Sequence, residues 1–155
     1  MSIRFVNGDI LTFPECDGDT IICQQVNCRG VMGAGLAKQI RDKWPTVYNE
    51  YIRVTDVCDK LMLGSYQNVK VGPHLYVANL FGQDGYGRDK RYTNYAALTA
   101  ALFRAMKENP RATFRIPYGL GCGLAGGNWV TVLNLIEEAA NAWNVNVEIW
   151  VLPKK

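Results

Sequence analysis

The sequence predicts an α/β fold, a three-layer α/β/α sandwich around a mixed, largely parallel sheet, and three observations carry that prediction. Short β-rich runs alternate with segments of helical periodicity along the whole chain, the pattern of helices packed on both faces of a sheet. One run, "DTIICQQVN" at 19–27, is almost wholly apolar in its first half, as a strand buried on both faces is. Two glycine-rich stretches each follow a strand and each open a helix, the arrangement of a βα turn at the carboxyl edge of such a sheet.

The elements follow in order. "IRFVNGDI" at 3–10 is the first strand and "DTIICQQVN" the second. In "GAGLAKQIRDKW", 33–44, Leu36, Ala37, Ile40 and Trp44 recur at helical spacing until Pro45 interrupts. A second helix resumes through "PTVYNEYI", because proline is well tolerated in a first turn. "GSYQNVKV" and "HLYVANLF" form an antiparallel pair joined by a turn at Gly72 and Pro73. "NYAALTAALFRAMKEN", 94–109, is an alanine-rich helix with Leu98, Leu102 and Met106 on one face and Asn94 as its cap. "TFRIPY" at 113–118 is a strand, "NWVTVLNLIEEAANAW" at 128–143 a helix and "VNVEIWVL" at 145–152 a last strand. With 155 residues, 48% of them hydrophobic, and no linker, repeat or low-complexity segment, one domain over 1–155 is expected.

Composition narrows the function. No apolar stretch approaches the ~20 residues of a membrane helix, and "MSIRFVNGDI" lacks the layout of a signal peptide. Five cysteines without Cys-x-x-Cys spacing read as reduced thiols, so a cytoplasmic location and no membrane partner are expected. His74 is the single histidine and has no neighbouring ligand cluster, so no metal site or cofactor is expected. The net charge is +3, and Lys and Arg are scattered except in "YGRDKRY", 86–92. A nucleic-acid partner is therefore unsupported, while a small anionic ligand suits the balance.

The glycines give that ligand a chemistry. "CRGVMGAGLA", 28–37, and "GLGCGLAGG", 119–127, each lead from a strand into a helix. Helix amino termini present unpaired N–H groups and a partial positive charge, and glycine lets backbone approach a phosphate closely. One such loop holds one phosphate; two across a cleft suit a pyrophosphate. Gly121, Gly123 and Gly126 formally satisfy G-x-G-x-x-G, but that fingerprint belongs in a first βαβ unit followed by an acidic residue. The first stretch fails as a nucleotide-triphosphate loop, since Leu36 and Ala37 stand where Lys and Ser or Thr would follow Gly35.

"NGDI" at 7–10, "VNCRGVMGAGLAKQI" at 26–40 and "IPYGLGCGLAGGNW" at 116–129 together resemble the macrodomain family, ADP-ribose-binding α/β/α modules, and especially its bacterial and phage branch that processes ADP-ribose-1''-phosphate. The resemblance spans nearly the whole chain. It implies that Asp9 accepts from the adenine amino group, with the N–H of Ile10 beside it and Gly8 in the same motif. It implies that Asn27 faces the distal ribose, that Gly33, Ala34, Gly35 and Leu36 form the first phosphate loop, and that Gly119, Leu120, Gly121, Cys122, Gly123 and Leu124 form the second. Pro117 and Tyr118 would shape the wall, and Leu152 or Pro153 would cover the adenine. Read without the family, Asp9 is a turn residue and Asn27 a cap or turn former before Gly30.

The implied activity is hydrolysis of ADP-ribose-1''-phosphate to ADP-ribose and phosphate. The alternatives are a reader without turnover and a hydrolase removing ADP-ribose from protein or nucleic acid. The related branch that cleaves ADP-ribose from macromolecules uses a lysine where this chain has Gly82 and Gln83, and its protein-acting members add an acidic residue where this chain has Ala125. The catalytic candidates left are Asn27, Gln83, Asp84 and Arg88, with "FGQDGYGRDKRY", 81–92, read as either an ordinary surface loop or a lid, the lid being favoured because the segment leaves the same sheet edge. Cys28 as nucleophile has no histidine nearby and reads better as a packed thiol. Trp44, Trp143 and Trp150 read as core, Trp129 as a buttress of the second loop, and Lys90 as a solvated loop charge.

Overall fold

The computed structural model describes residues 2–14 and 18–153. Six strands form one sheet: β1 Ser2–Asn7, β2 Thr20–Gln25, β3 Tyr66–Gly72, β4 Leu75–Leu80, β5 Thr113–Pro117 and β6 Asn146–Val151. Their order is β1-β6-β5-β2-β4-β3, parallel throughout except for the antiparallel pairing of the edge strand β3 with β4. Four α-helices, α1 Gly35–Lys43, α2 Pro45–Cys58, α3 Tyr95–Glu108 and α4 Trp129–Trp143, complete three layers. The expected mixed, largely parallel α/β/α sandwich is therefore the fold observed.

The two faces carry separate cores. Ile21 and Cys23 of β2 pack with Leu98, Leu102 and Met106 of α3 and with Val132 and Ile136 of α4. Ile22, one residue out of phase, packs on the opposite face with Ile40 of α1 and with Val47 and Tyr51 of α2, as the two-residue alternation of a strand requires. Pro45 ends α1 and occupies the first turn of α2. That helix runs on to Cys58 and into a short 3-10 turn, Asp59–Met62, beyond the "PTVYNEYI" segment expected from sequence. The side chain of Asn94 caps α3 by accepting from the N–H of Ala97, and Asn128 caps α4 by accepting from Thr131. In the turn between β3 and β4 it is His74 that takes a left-handed backbone, φ 59°; its ring bonds Asp19 at 2.9 Å.

Because β1, β6, β5, β2 and β4 are mutually parallel, their carboxyl ends share one edge of the sheet. Ligands of open α/β sheets bind beyond that edge. The segments that leave it are 8–12, 26–34, 81–94, 118–128 and 152–153.

Candidate functional site

A cleft of about 640 Å³ opens on that edge. Its floor is the end of β2 and the residues after it, Gln24 to Asn27; one side is Val31 to Ala37, the other is Pro117 to Ala125 without Cys122, and Gln83, Tyr86, Gly87 and Arg88 close a third side. The two glycine-rich stretches thus face one cavity, and the 81–92 segment supplies one of its walls.

The first stretch ends in a helix start with nothing to cap it. Ala34 stands at the N-cap of α1, no side chain bonds the first turn, and that turn holds no acidic residue. The N–H groups of a first helical turn have no partners within the helix. Those of Gly35, Leu36 and Ala37 are therefore open at the cleft, together with the positive end of the helix dipole. The contrast with the Asn-capped α3 and α4 is physical: where a ligand is to be received, a capping side chain would compete with it. Gly35 takes φ 57° with open space around a would-be Cβ, so its glycine serves backbone conformation rather than packing.

The second stretch is a chain of tight turns. The N–H of Leu120 bonds Pro117 O at 3.0 Å, Cys122 bonds Gly119 O at 2.8 Å, Gly126 bonds Gly123 O at 3.1 Å and Gly127 bonds Gly121 O at 2.8 Å. The intervening N–H groups of Gly121, Gly123, Leu124 and Ala125 take no acceptor among the described residues, and these residues line the cleft; unpaired backbone N–H groups in such turns bind anions. Behind the loop the ring of Trp129 lies 4.7 Å from that of Tyr118, the buttress expected for it. Cys122 is turned out of the cleft wall, its thiol directed to Leu120 O at 3.3 Å, and burial raises its pKa.

Asn27 lines the cleft, but its side chain is engaged. Its Oδ1 accepts from the N–H of Arg29 at 2.9 Å and the N–H of Val31 at 3.3 Å, the hydroxyl of buried Tyr51 lies 2.7 Å from both this oxygen and the Asn27 carbonyl, and Nδ2 donates to Val31 O at 2.8 Å. An amide nitrogen carries two protons, so one N–H is the most Asn27 can offer a ligand. These bonds close the turn before Gly30. Cys28 is fully buried; burial, then the Asp84 and Asp59 carboxylates, push its thiol up to about 11, with Arg29 opposing. A nucleophilic cysteine needs the reverse.

Asp84 does not line the cleft. Its carboxylate pairs with Arg29 at 3.1 Å in a neighbouring pocket of about 300 Å³ that also holds Lys90 and Arg91. Lys90 stands over the ring of Tyr92 at 5.1 Å. Gln83 and Arg88 do face the cleft. Of the described residues in its wall, Arg88, Tyr86 and Tyr118 are the ionisable ones; no Asp, Glu, His, Lys or Cys is among them.

Gly8, Asp9 and Ile10 lie beyond this cavity, at the end of β1, where an Asp9 carboxylate oxygen accepts from the N–H of Leu11 at 2.9 Å. Three strand spacings separate β1 from β2, roughly 14 Å at ~4.8 Å each, a span that one elongated ligand can bridge. A residue not singled out from the sequence fixes this end. Arg115 of β5 is 6% exposed and donates to Ile10 O at 3.0 Å and Thr12 O at 2.6 Å, with its guanidinium over the Trp150 ring at 4.4 Å. A charged residue inside the otherwise apolar "TFRIPY" was the available signal. Gln24 and Gln25, the polar pair closing an apolar strand, were another. From Gln24 an amide relay runs through Asn79 at 2.8 Å and Gln67 at 3.0 Å to Glu50 O at 2.9 Å.

No protein-family model matches the chain. Among curated relatives, the ADP-ribose 1''-phosphate phosphatase of Saccharomyces cerevisiae is 26% identical over 116 residues, 69% of this chain and 63% of that protein. The DNA ADP-ribosyl glycohydrolase of Thermus aquaticus is 27% identical over 154 residues, 96% of this chain and 40% of that one. The chain thus spans less than two thirds of either relative. Among solved structures, a Bacteroides thetaiotaomicron protein of unknown function superimposes with TM-score 0.87 at 28% identity, covering 98% of this chain and 99% of that chain. The macrodomain protein of Streptomyces coelicolor superimposes with TM-score 0.79 at 29% identity, covering 99% and 100%. Thermosipho africanus DarTG, solved in complex with ADP-ribose, shares the fold with TM-score 0.70 at 23% identity, covering 87% and 39%. The fold is that of the macrodomains.

Proposed function

We propose that this macrodomain fold binds ADP-ribose, with the diphosphate held between the first turn of α1 and the 119–125 loop. The observation that carries the reading is the pair of uncapped N–H rows, Gly35 to Ala37 and Gly121 with Gly123 to Ala125, in the lining of one cleft. The distal ribose then lies toward Asn27 and Arg88, and the adenosine runs past Tyr118 toward Asp9 and Ile10, with Gly8 giving the turn and Leu152 or Pro153 the cover. Calorimetric titration with ADP-ribose, using AMP and NAD as comparators, tests it; equal affinity for AMP and ADP-ribose would remove the paired cradle from the account.

The activity we propose is hydrolysis of ADP-ribose-1''-phosphate. Water attacks phosphorus, the bond from phosphorus to the 1'' oxygen breaks, and the ribose leaves with its hydroxyl. Arg88 and the backbone donors hold the phosphoryl oxygens, and the Gln83 amide lies beside them. Asp84 would contribute only by leaving Arg29. The wall's lack of carboxylate, imidazole and amine removes the factor of about 10²–10⁴ that general acid–base catalysis supplies, so turnover is slow. The same observation favours a second reading, a reader of ADP-ribose on macromolecules without turnover. Phosphate release from ADP-ribose-1''-phosphate separates the two: release abolished by Arg88→Ala supports the enzyme, and no release from a protein that binds ADP-ribose supports the reader. A cytoplasmic site of action fits both; no described helix is long and apolar enough to cross a membrane.

A further inference from the structure

We infer that Gln25 is a positioning residue that couples the 83–93 wall to the 119–125 loop, so that a phosphate held by the loop also orders the wall. The inference rests on the ADP-ribose reading for its ligand arm and on the free protein for the rest. Gln25 ends β2 and lies between the two segments. Its Nε2 donates to Gln83 Oε1 at 2.8 Å and to Thr93 Oγ1 at 2.9 Å. Gln83 and Thr93 oppose each other in an isolated antiparallel bridge. The Thr93 hydroxyl donates in turn to Gly121 O at 2.6 Å, the carbonyl that also receives the N–H of Gly127 at 2.8 Å.

The polarity of this chain is fixed at both ends by groups that can only accept. Gln83 gives its Nε2 to Gly85 O at 2.8 Å, so its oxygen is turned to Gln25. Thr93 has one proton and gives it to Gly121 O, so toward Gln25 it can only accept. Gln25 must therefore present its NH₂ to both partners, and its Oε1 is left buried without a donor. That oxygen lies 2.4 Å from where a Cβ on Gly82 would stand and 2.9 Å from one on Gly121. Both backbones thus close on the same amide, and its oxygen fills the room that a side chain at either position would need. A direct link runs beside it: the N–H groups of Tyr92 and Thr93 bond Ala125 O at 2.7 and 3.2 Å. Restraining the loop restrains residues 92–93 through Ala125 and residue 83 through Gln25, which closes the wall segment from both ends.

Hydrogen exchange on the full chain, with and without ADP-ribose, tests this in Gln25→Met, which keeps length and neutrality but no amide, in Thr93→Val, and in the double variant. In wild type, ADP-ribose should protect both 119–127 and 84–92. In Gln25→Met the free protein should exchange faster in both segments by about 5- to 10-fold, the size of an ordinary coupling, with α3 and α4 unchanged. Ligand should then protect the loop and residues 92–93, which stay tied to Ala125, but no longer the rest of the wall, and the double variant should be no faster than the worse single one. Full ligand protection of 84–92 in Gln25→Met, loosening of one segment alone or of the whole chain, or multiplying effects in the double variant would each overturn the inference. If wild type binds no ADP-ribose, the ligand reading fails while joint loosening of the two segments in the free variant still upholds the coupling. Should Gln25→Met not fold, Thr93→Val carries the same readouts.

Discussion

Gly123→Glu tests the phosphate cradle more sharply than any truncation. Gly123 lines the cleft, its φ is not in the left-handed region, and a Cβ built on it meets nothing within 4 Å. The protein can therefore accept a side chain there without strain, and the fold should survive. The new carboxylate would share the cleft with a diphosphate. At a separation of ~5 Å and an effective dielectric of ~40, one pair of like charges costs about 1.7 kcal/mol, roughly 17-fold in affinity. Gly123→Gln supplies the same bulk without the charge, so the ratio of the two dissociation constants isolates electrostatics from volume. Titrations of both variants with ADP-ribose at low salt and again near 0.5 M should show the ratio shrinking as screening sets in. Gly123→Glu and Gly123→Gln binding equally at low salt would mean that no anion lies at this loop.

Three further outcomes follow from the same geometry. Asn27→Ala leaves the N–H groups of Arg29 and Val31 without the side-chain acceptor, while the Tyr51 hydroxyl keeps the carbonyl of residue 27 at 2.7 Å, so it should cost about 1–3 kcal/mol of stability. Asn27→Asp, which keeps the acceptor, should melt higher than the alanine variant in thermal denaturation. Arg115→Met frees the 8–12 segment from its anchor on Ile10 O and Thr12 O; adenosine discrimination should weaken about 10-fold, on the order of one charge-assisted hydrogen bond, while affinity for inorganic diphosphate stays as it was. Because Cys28 is held as a thiol with its pKa raised to about 11, folded protein binds its proton more tightly than unfolded chain. Stability should be full below the ordinary thiol range and fall as pH rises from about 9 toward 11, and alkylation of folded protein should show no plateau near pH 8.5. A Cys28→Ser variant that retains the full alkaline loss would assign it elsewhere.

The alternation of elements was legible because each core face announces itself: β2 alternates Ile21 and Cys23 against Ile22 toward opposite sides, and α3 repeats its buried residues at helical spacing. That two glycine-rich stretches would meet at one edge of the sheet was legible because glycine clusters after strands have few other uses. Side-chain roles within the site were not, because they depend on which polar group finds which partner. Asn27 lines the cleft, yet its side-chain oxygen also accepts from the N–H groups of Arg29 and Val31. Asp84 stood beside Gln83 in sequence, yet the chain turns it into the next pocket to meet Arg29. Arg115 and Gln25 were hidden for a related reason: each gains its partners from segments about 100 and 60 residues away, respectively, and no local pattern encodes such a meeting.

The composition of the wall decides what the cleft can do with the ligand it holds. On the proposed reading, recognition comes from backbone N–H groups, a helix dipole and one arginine. Such donors grip a phosphate in the ground state nearly as well as in the transition state, and uniform binding of that kind deepens affinity without lowering the barrier. What catalysis there is must come from the donors that gain strength as charge moves onto the phosphoryl and leaving oxygens, and of the side chains at the wall Arg88 is the one with a full charge to give. On the proposed reading, the balance of binding over turnover is built into the residue types of the cleft. A product-like ligand should be held tightly, and the reaction that yields it should be slow.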